Sequence, residues 1–135
     1  MRQAFLADEI FTGNETLKGH VLFIENNIVS GILHPDFLPS GITVEKFPDC
    51  FITSAFIDLQ LYGGNGKLFS HSLDTESLDA TRTYCMAGGC SHFMITMATN
   101  SMENFLRGID TVGEYLSSGK KDYSASTWKV PGLIR

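Results

Sequence analysis

The hydrophobic pattern of this chain changes character near residue 51, and that change restricts the fold more than any other feature. Before it, short apolar runs are separated by turn residues and by Pro35, Pro39 and Pro48. After it, strand-like and helix-like stretches alternate. A chain that switches in this way reads as two differently built parts, here 1-53 and 54-135, because strand repeats and helix repeats bury apolar side chains at different periods.

The first part reads as a small β unit. Phe5-Leu6 leads to Ile10-Phe11 and then Thr12-Gly13-Asn14, a turn signal. His20 to Glu25 is a β-branched and aromatic run. Asn26-Asn27 supplies the positive-φ residues of a tight hairpin, and Ile28 to Leu33 is its return strand, with Gly31 inside. Val44 to Phe47 suggests a third strand with a less regular alternation. The prolines argue against any helix here.

The second part has a β-α-β-α-β order. Phe56 to Leu61 is a strand running into Tyr62-Gly63-Gly64-Asn65-Gly66, expected to be a flexible loop. Asp74 is placed to cap a helix from Thr75 to about Ala87, with Leu78, Arg82, Cys85 and Met86 on one face and Gly88-Gly89 as its stop. Ser91 to Ala98 is nearly apolar throughout, as in a parallel strand covered on both faces. Asn100, with Glu103 as a capping-box partner, is expected to start a second helix. Its apolar face would carry Met102, Phe105, Leu106, Ile109, Val112 and Leu116. A polar stretch, Ser117 to Thr127, precedes a third apolar run, Val130 to Ile134. This order implies parallel strands joined by right-handed crossovers. A closed (β/α)₈ barrel takes about 250 residues, so 135 residues can supply only part of one.

Composition narrows the function classes. Ten Lys and Arg against fifteen Asp and Glu leave a formal charge of −5, which disfavours nucleic acid and anionic membranes as partners. No apolar run is long enough to span a bilayer and no signal peptide is evident. The three cysteines, Cys50, Cys85 and Cys90, form no paired framework and no CxxC spacing. They are expected to be buried free thiols in a reducing, cytoplasmic compartment.

Candidate chemistry centres on the loop after Phe56–Leu61, because ligands of α/β folds sit at the carboxyl ends of the strands. Alternation puts Gln60 and Tyr62 on one side and Leu59 and Leu61 on the other. From spacing alone, ordinary polar residues at a strand end are the better description of Gln60 and Tyr62. The glycines match neither a P-loop nor a dinucleotide fingerprint. His20, His34, His71 and His92 show no metal-ligand spacing, and no nucleophile elbow is present.

The stretch Ala55-Phe56-Ile57-Asp58-Leu59-Gln60-Leu61-Tyr62-Gly63-Gly64-Asn65-Gly66-Lys67-Leu68-Phe69 resembles the first barrel strand of N-acetylglucosamine-6-phosphate deacetylases of the amidohydrolase superfamily. The superfamily pattern there is P-G-[FL]-[IV]-D-x-H-x-H, and many deacetylases replace the two histidines by Gln and a polar residue. Gly89-Cys90-Ser91 leading into Thr96-Met97-Ala98-Thr99-Asn100-Ser101 is similar to the family's second strand. Two departures stand out. Ser54-Ala55 replaces Pro-Gly, and Val130-Pro131-Gly132-Leu133, similar to the start of the family's V-x-G-L-H-L-E-G-P strand, is followed only by Ile134-Arg135.

The resemblance implies part of a small β-sandwich followed by the first βαβα(β) units of an incomplete TIM barrel. It also implies hydrolysis of N-acetylglucosamine 6-phosphate to glucosamine 6-phosphate and acetate by the intact family, which uses a divalent metal (zinc or iron) and is often homo-oligomeric. Carried over residue by residue, Gln60 and Tyr62 stand where the superfamily has metal histidines, and Gly63 and Gly64 lie beside the sugar site. The metal Glu, the later histidines and the catalytic Asp would fall beyond residue 135. The chain alone is therefore expected to be an inactive, truncated portion that carries no catalytic residue and binds no metal tightly. A non-catalytic folding or interaction module derived from the same fold is the alternative. A dihydroorotase-like ring opener fits less well, since such enzymes keep the HxH pair that Gln60 and Tyr62 replace.

Overall fold

The computed structural model describes residues 1–118. The expected strand at Val130 to Ile134, and the polar stretch after residue 118, lie outside the described residues. The chain divides into two compact units, Met1–Ser54 and Ala55–Arg135.

The first unit is a five-stranded sheet. Its long first strand, β1 (Arg2–Phe11), is shared by two antiparallel neighbours. Glu9 to Phe11 pair with β2 (Thr16–Lys18), and Arg2 to Leu6 pair with β3 (Val21–Glu25). β3 turns into β4 (Ile28–Leu33) through Asn26 and Asn27, whose φ angles of 53° and 64° are those of the expected hairpin. Between Phe23 and Ile24 the register shifts against Gly31 and Val29, so Ser30 bulges out.

β5 (Val44–Ile52) is longer than its sequence suggests and runs parallel to β1. It accommodates Pro48 where the register breaks: Ala7 pairs with Phe47, but Glu9 pairs with Phe51. The extra residues loop out around Asp49, which has a φ of 58° and whose backbone N–H donates to Asp8 Oδ2 at 3.2 Å. Proline costs no ladder hydrogen bond at such an irregularity. The expected absence of helix is corrected by one short 3₁₀ turn at Pro35–Phe37, where proline occupies a first-turn position that needs no N–H partner. Ala4, Val21 and Phe23 form the core, with Leu6, Leu33, Leu38, Ile42 and Val44 packed on it.

The second unit pairs β6 (Phe56–Leu61) in parallel with β9 (Cys90–Ile95). Between them come a miniature hairpin of β7 (Gly63–Gly64) and β8 (Lys67–Leu68), a single helical turn α1 (Phe69–Ser72), and α2 (Thr75–Ala87). Asp74 caps α2 as expected, its Oδ1 accepting from the Ser77 N–H at 2.8 Å. Gly88 and Gly89 end it, Gly89 at a φ of 75°. The buried face of α2 is Ser77, Leu78, Thr81 and Cys85, while Met86, expected inside, is exposed. The small hydroxyl residues explain the difference. Thr81 satisfies its Oγ1 by donating to the Ser77 carbonyl at 2.8 Å, so it can be buried in place of a larger apolar residue.

α3 (Met102–Ser117) is capped by Ser101, not by Asn100. Ser101 Oγ accepts from the Asn104 N–H, which puts Glu103 one position short of a capping box. Asn100 instead accepts from the Ser101 N–H at 2.9 Å and from Asn104 Nδ2 at 2.7 Å. The helix buries Gly108, Thr111 and Val112, with Phe105 and Tyr115 half-buried, and leaves Met102, Leu106, Ile109 and Leu116 exposed. The expected apolar face is thus only partly right, because Thr111 and Tyr115 make polar anchors instead. Thr111 Oγ1 donates to the Leu73 carbonyl at 3.0 Å, and Tyr115 Oη donates to Asp79 Oδ1 at 2.8 Å. Phe69, Leu73, Leu78, Ile95, Met97 and Val112 form the core. Among the described residues no helix is long and apolar enough to cross a membrane.

Candidate functional site

Gln60 and Tyr62 stand at the carboxyl end of β6. Gln60 Nε2 donates to Tyr62 Oη at 2.8 Å, so the two side chains share a side, as alternation requires. The simple alternation of the neighbouring leucines fails, however. The pairing with β9 is irregular between Asp58 and Leu61, and Leu59 is exposed whereas Leu61 is half-buried. Asp58 Oδ1 accepts from the Gln60 N–H at 2.9 Å, holding the backbone in that irregular turn. Sequence spacing did not show this role for Asp58.

The glycine segment is a hairpin and not a flexible loop. Gly63 and Gly64 pair antiparallel with Leu68 and Lys67. Asn65 and Gly66, at φ 50° and 76°, form its turn, and an Asn-Gly dipeptide favours this two-residue geometry. The two strand glycines are required by crowding. A Cβ on Gly63 would lie 1.9 Å from the Lys67 carbonyl oxygen. One on Gly64 would lie 2.7 Å from Tyr84 Cβ and 2.9 Å from Thr81 Cα of α2. Asn65 Nδ2 donates to the Ala80 carbonyl at 3.2 Å, and Lys67 Nζ pairs with Glu76 at the start of α2. The hairpin is therefore fastened along one side of α2. A shallow cavity of about 450 Å³ lies beside it, lined by the hairpin with Leu61 and Tyr84.

The other candidates are dispersed. His71 lies on α1 and His92 is the third residue of β9, with its Nδ1 2.8 Å from Ser91 Oγ. His20 and His34 belong to the first unit, their rings 6.0 Å apart and edge to face. Of the three cysteines only Cys85 is buried. Cys90 is half-buried and Cys50 exposed, which corrects the expectation of three buried thiols. Cys50 is exposed together with all of Glu45 to Phe51 in β5.

Among the described residues no three His, Cys, Asp or Glu side chains gather as a metal-holding group. The donors at the end of β6 are an amide and a phenol already bonded to each other. That set suits hydrogen bonding to hydroxyl or amide groups and does not fit a resident divalent metal.

No protein-family model matches the chain. The chain is 28% identical over 120 residues to an N-acetylglucosamine-6-phosphate deacetylase of Haemophilus influenzae, covering 89% of this chain and 32% of that protein. Among solved structures, an N-acetylglucosamine-6-phosphate deacetylase from Pasteurella multocida superimposes on 95% of this chain and 34% of its own, with a TM-score of 0.82 and 23% identity. A mutant of the Mycobacterium smegmatis deacetylase, in complex with N-acetyl-D-glucosamine-6-phosphate, superimposes on 87% of this chain and 30% of its own, with a TM-score of 0.75 and 21% identity. Over nearly its whole length the chain is thus similar to about a third of an N-acetylglucosamine-6-phosphate deacetylase, which fits the N-terminal portion of such a protein.

Proposed function

We propose that these residues form the N-terminal portion of an N-acetylglucosamine-6-phosphate deacetylase. On this reading the first unit is part of the small β-sandwich and the second contributes the opening βα units of the barrel. The whole enzyme adds water across the acetamido C–N bond of N-acetylglucosamine 6-phosphate, releasing acetate and leaving glucosamine 6-phosphate. The observation that carries the proposal is coverage: the curated deacetylase matches 89% of this chain while this chain spans 32% of it.

Within that enzyme, Gln60 and Tyr62 face the substrate cleft. Their pairing leaves the Gln60 carbonyl oxygen to accept from a sugar hydroxyl or the acetamido N–H, and the Tyr62 O–H to donate to a sugar oxygen. Gly63 and Gly64 lie beside the sugar because the hairpin they build follows directly on Tyr62. The metal ligands and the proton-transferring carboxylate belong to the other two-thirds of such an enzyme, so the 135-residue chain is inactive alone. The amino-sugar phosphate is the partner, and a homo-oligomer of the whole protein is its working form.

Two measurements test this. Acetate release from N-acetylglucosamine 6-phosphate by the purified chain with added zinc should stay at the metal-only blank; clear turnover would refute the inactivity. The coding sequence following codon 135, read in all three frames, should continue with a Leu-Glu-Gly-Pro segment. Its absence from every frame would count against the family portion and for a free-standing module.

A further inference from the structure

Cys85 and Cys90 flank the Gly88-Gly89 turn that links the end of α2 to the start of β9. The turn folds the chain back on itself, with the Gly88 N–H donating to the Tyr84 carbonyl at 3.2 Å and the Gly89 N–H to the Met86 carbonyl at 3.1 Å. Both thiols consequently line one cavity of about 450 Å³, together with Asp58, Leu61 and Tyr84. The two thiols are near enough for Cys90 to act on Cys85. They differ in surroundings. Cys85 is only 5% exposed, whereas Cys90 is half-buried and its Sγ donates to the His92 carbonyl at 3.0 Å. The remaining cysteine, Cys50, lies in the other unit.

We propose that Cys85 and Cys90 form a thiol-oxidation site, closed to an intramolecular disulfide by a small peroxide. Hydrogen peroxide reaches the more accessible sulfur first. The Cys90 sulfur attacks one peroxide oxygen, the O–O bond breaks, and the leaving hydroxide takes up the thiol proton as water. Cys90 is left as a sulfenic acid. The Cys85 sulfur then attacks the Cys90 sulfur, the S–O bond breaks, and the second hydroxide leaves as water with the Cys85 proton. Two sulfurs each lose one electron and the peroxide gains both, so two thiols and one peroxide become one disulfide and two waters.

Proximity drives the second step, and the state of Cys85 sets its speed. Burial, then the neighbouring Cys90, push the Cys85 thiol up to about 12, so little of the attacking thiolate is present at neutral pH. Closure should therefore quicken about tenfold per pH unit between pH 7 and pH 9, as the thiolate fraction does well below its pKa. The site stands apart from the deacetylase reading, since it uses neither Gln60 nor Tyr62.

The test is peroxide treatment of the full chain carrying Cys50→Ser, followed by alkylation of remaining thiols and peptide mass analysis. Cleavage after Arg82 and Arg107 leaves both cysteines in one peptide. That peptide should take up no alkylating groups and lose about 2 Da, the two thiol hydrogens, with both thiols recovered after reduction. Cys85→Ser should instead leave Cys90 to trap a sulfenic-acid reagent. Should that variant fail to fold, the peptide mass of Cys50→Ser decides alone. Two alkylated cysteines after peroxide, or disulfides only between chains, would each overturn the proposal.

Discussion

The two units meet the same requirement, pairing strands around a buried core, by different routes. Both leave large apolar side chains in the open among the described residues, Ile28, Phe37 and Phe51 being 67–76% exposed in the first. The first unit closes a five-stranded sheet by local hairpins and one parallel strand. The second has a two-stranded parallel sheet with α2 and α3 packed about a core of larger side chains. Yet in β6 it leaves Phe56, Ile57 and Leu59 63–64% exposed, where a parallel strand of an α/β fold is normally covered on both faces. A hairpin sheet can complete most of its pairing within a short stretch of chain. A parallel sheet needs a long crossover for each added strand, so a given length of sequence finishes less of it.

That contrast can be broken at four strengths. The largest effect should come from the core of the second unit. Phe69 is fully buried, and Phe69→Ala should cost about 3–5 kcal/mol in denaturant unfolding. Hydrogen exchange should quicken across α2 and β9 while β1 and β3 keep their protection; equal loss in both units would mean one cooperative body. Next, Gly64→Ala forces a Cβ against Thr81 Cα and Tyr84 Cβ. It should destabilise by about 1–3 kcal/mol as overpacking does and expose the hairpin to proteolysis, whereas a neutral substitution would restore the flexible-loop description.

Removing the α2 cap is milder. Asp74→Ala should cost about 1 kcal/mol and Asp74→Ser much less, both read from the unfolding midpoint. The smallest effect belongs to the first unit's surface. The hydrogen bond and then the charge of Glu9 raise the Lys18 pKa, so the folded chain holds that proton more tightly than the unfolded one. Any stabilisation is fully present below the ordinary lysine value near pH ~10.4 and fades as pH climbs past the raised one. Because the pair is solvent-exposed, Glu9→Gln should leave the neutral-pH midpoint unchanged within error. A clear drop would mean that this surface matters more than its exposure implies.

Much of this architecture was legible from short-range chemistry. Asn26-Asn27 marked a hairpin, Asp74 a helix start and Gly88-Gly89 its end, because turns and caps depend on residues within a few positions of each other. Gln60 and Tyr62 were likewise legible as a same-side pair, since strand periodicity alone puts them together. What sequence reasoning missed required partners distant in the chain. Pro48 sits in a strand at the point where β5 loops out of register against β1. Ser101 caps α3 by accepting the Asn104 N–H, while Asn100 Oδ1 is taken up by the Ser101 N–H and the Asn104 side chain, and spacing cannot rank the two. Gly63 and Gly64 read as sources of flexibility, but the Lys67 backbone closes on the first, and Thr81 and Tyr84 of α2 close on the second. Local residue types settle which turns and caps are available; close packing between separated segments decides which are used, and turns a run of glycines into a fixed support beside Tyr62.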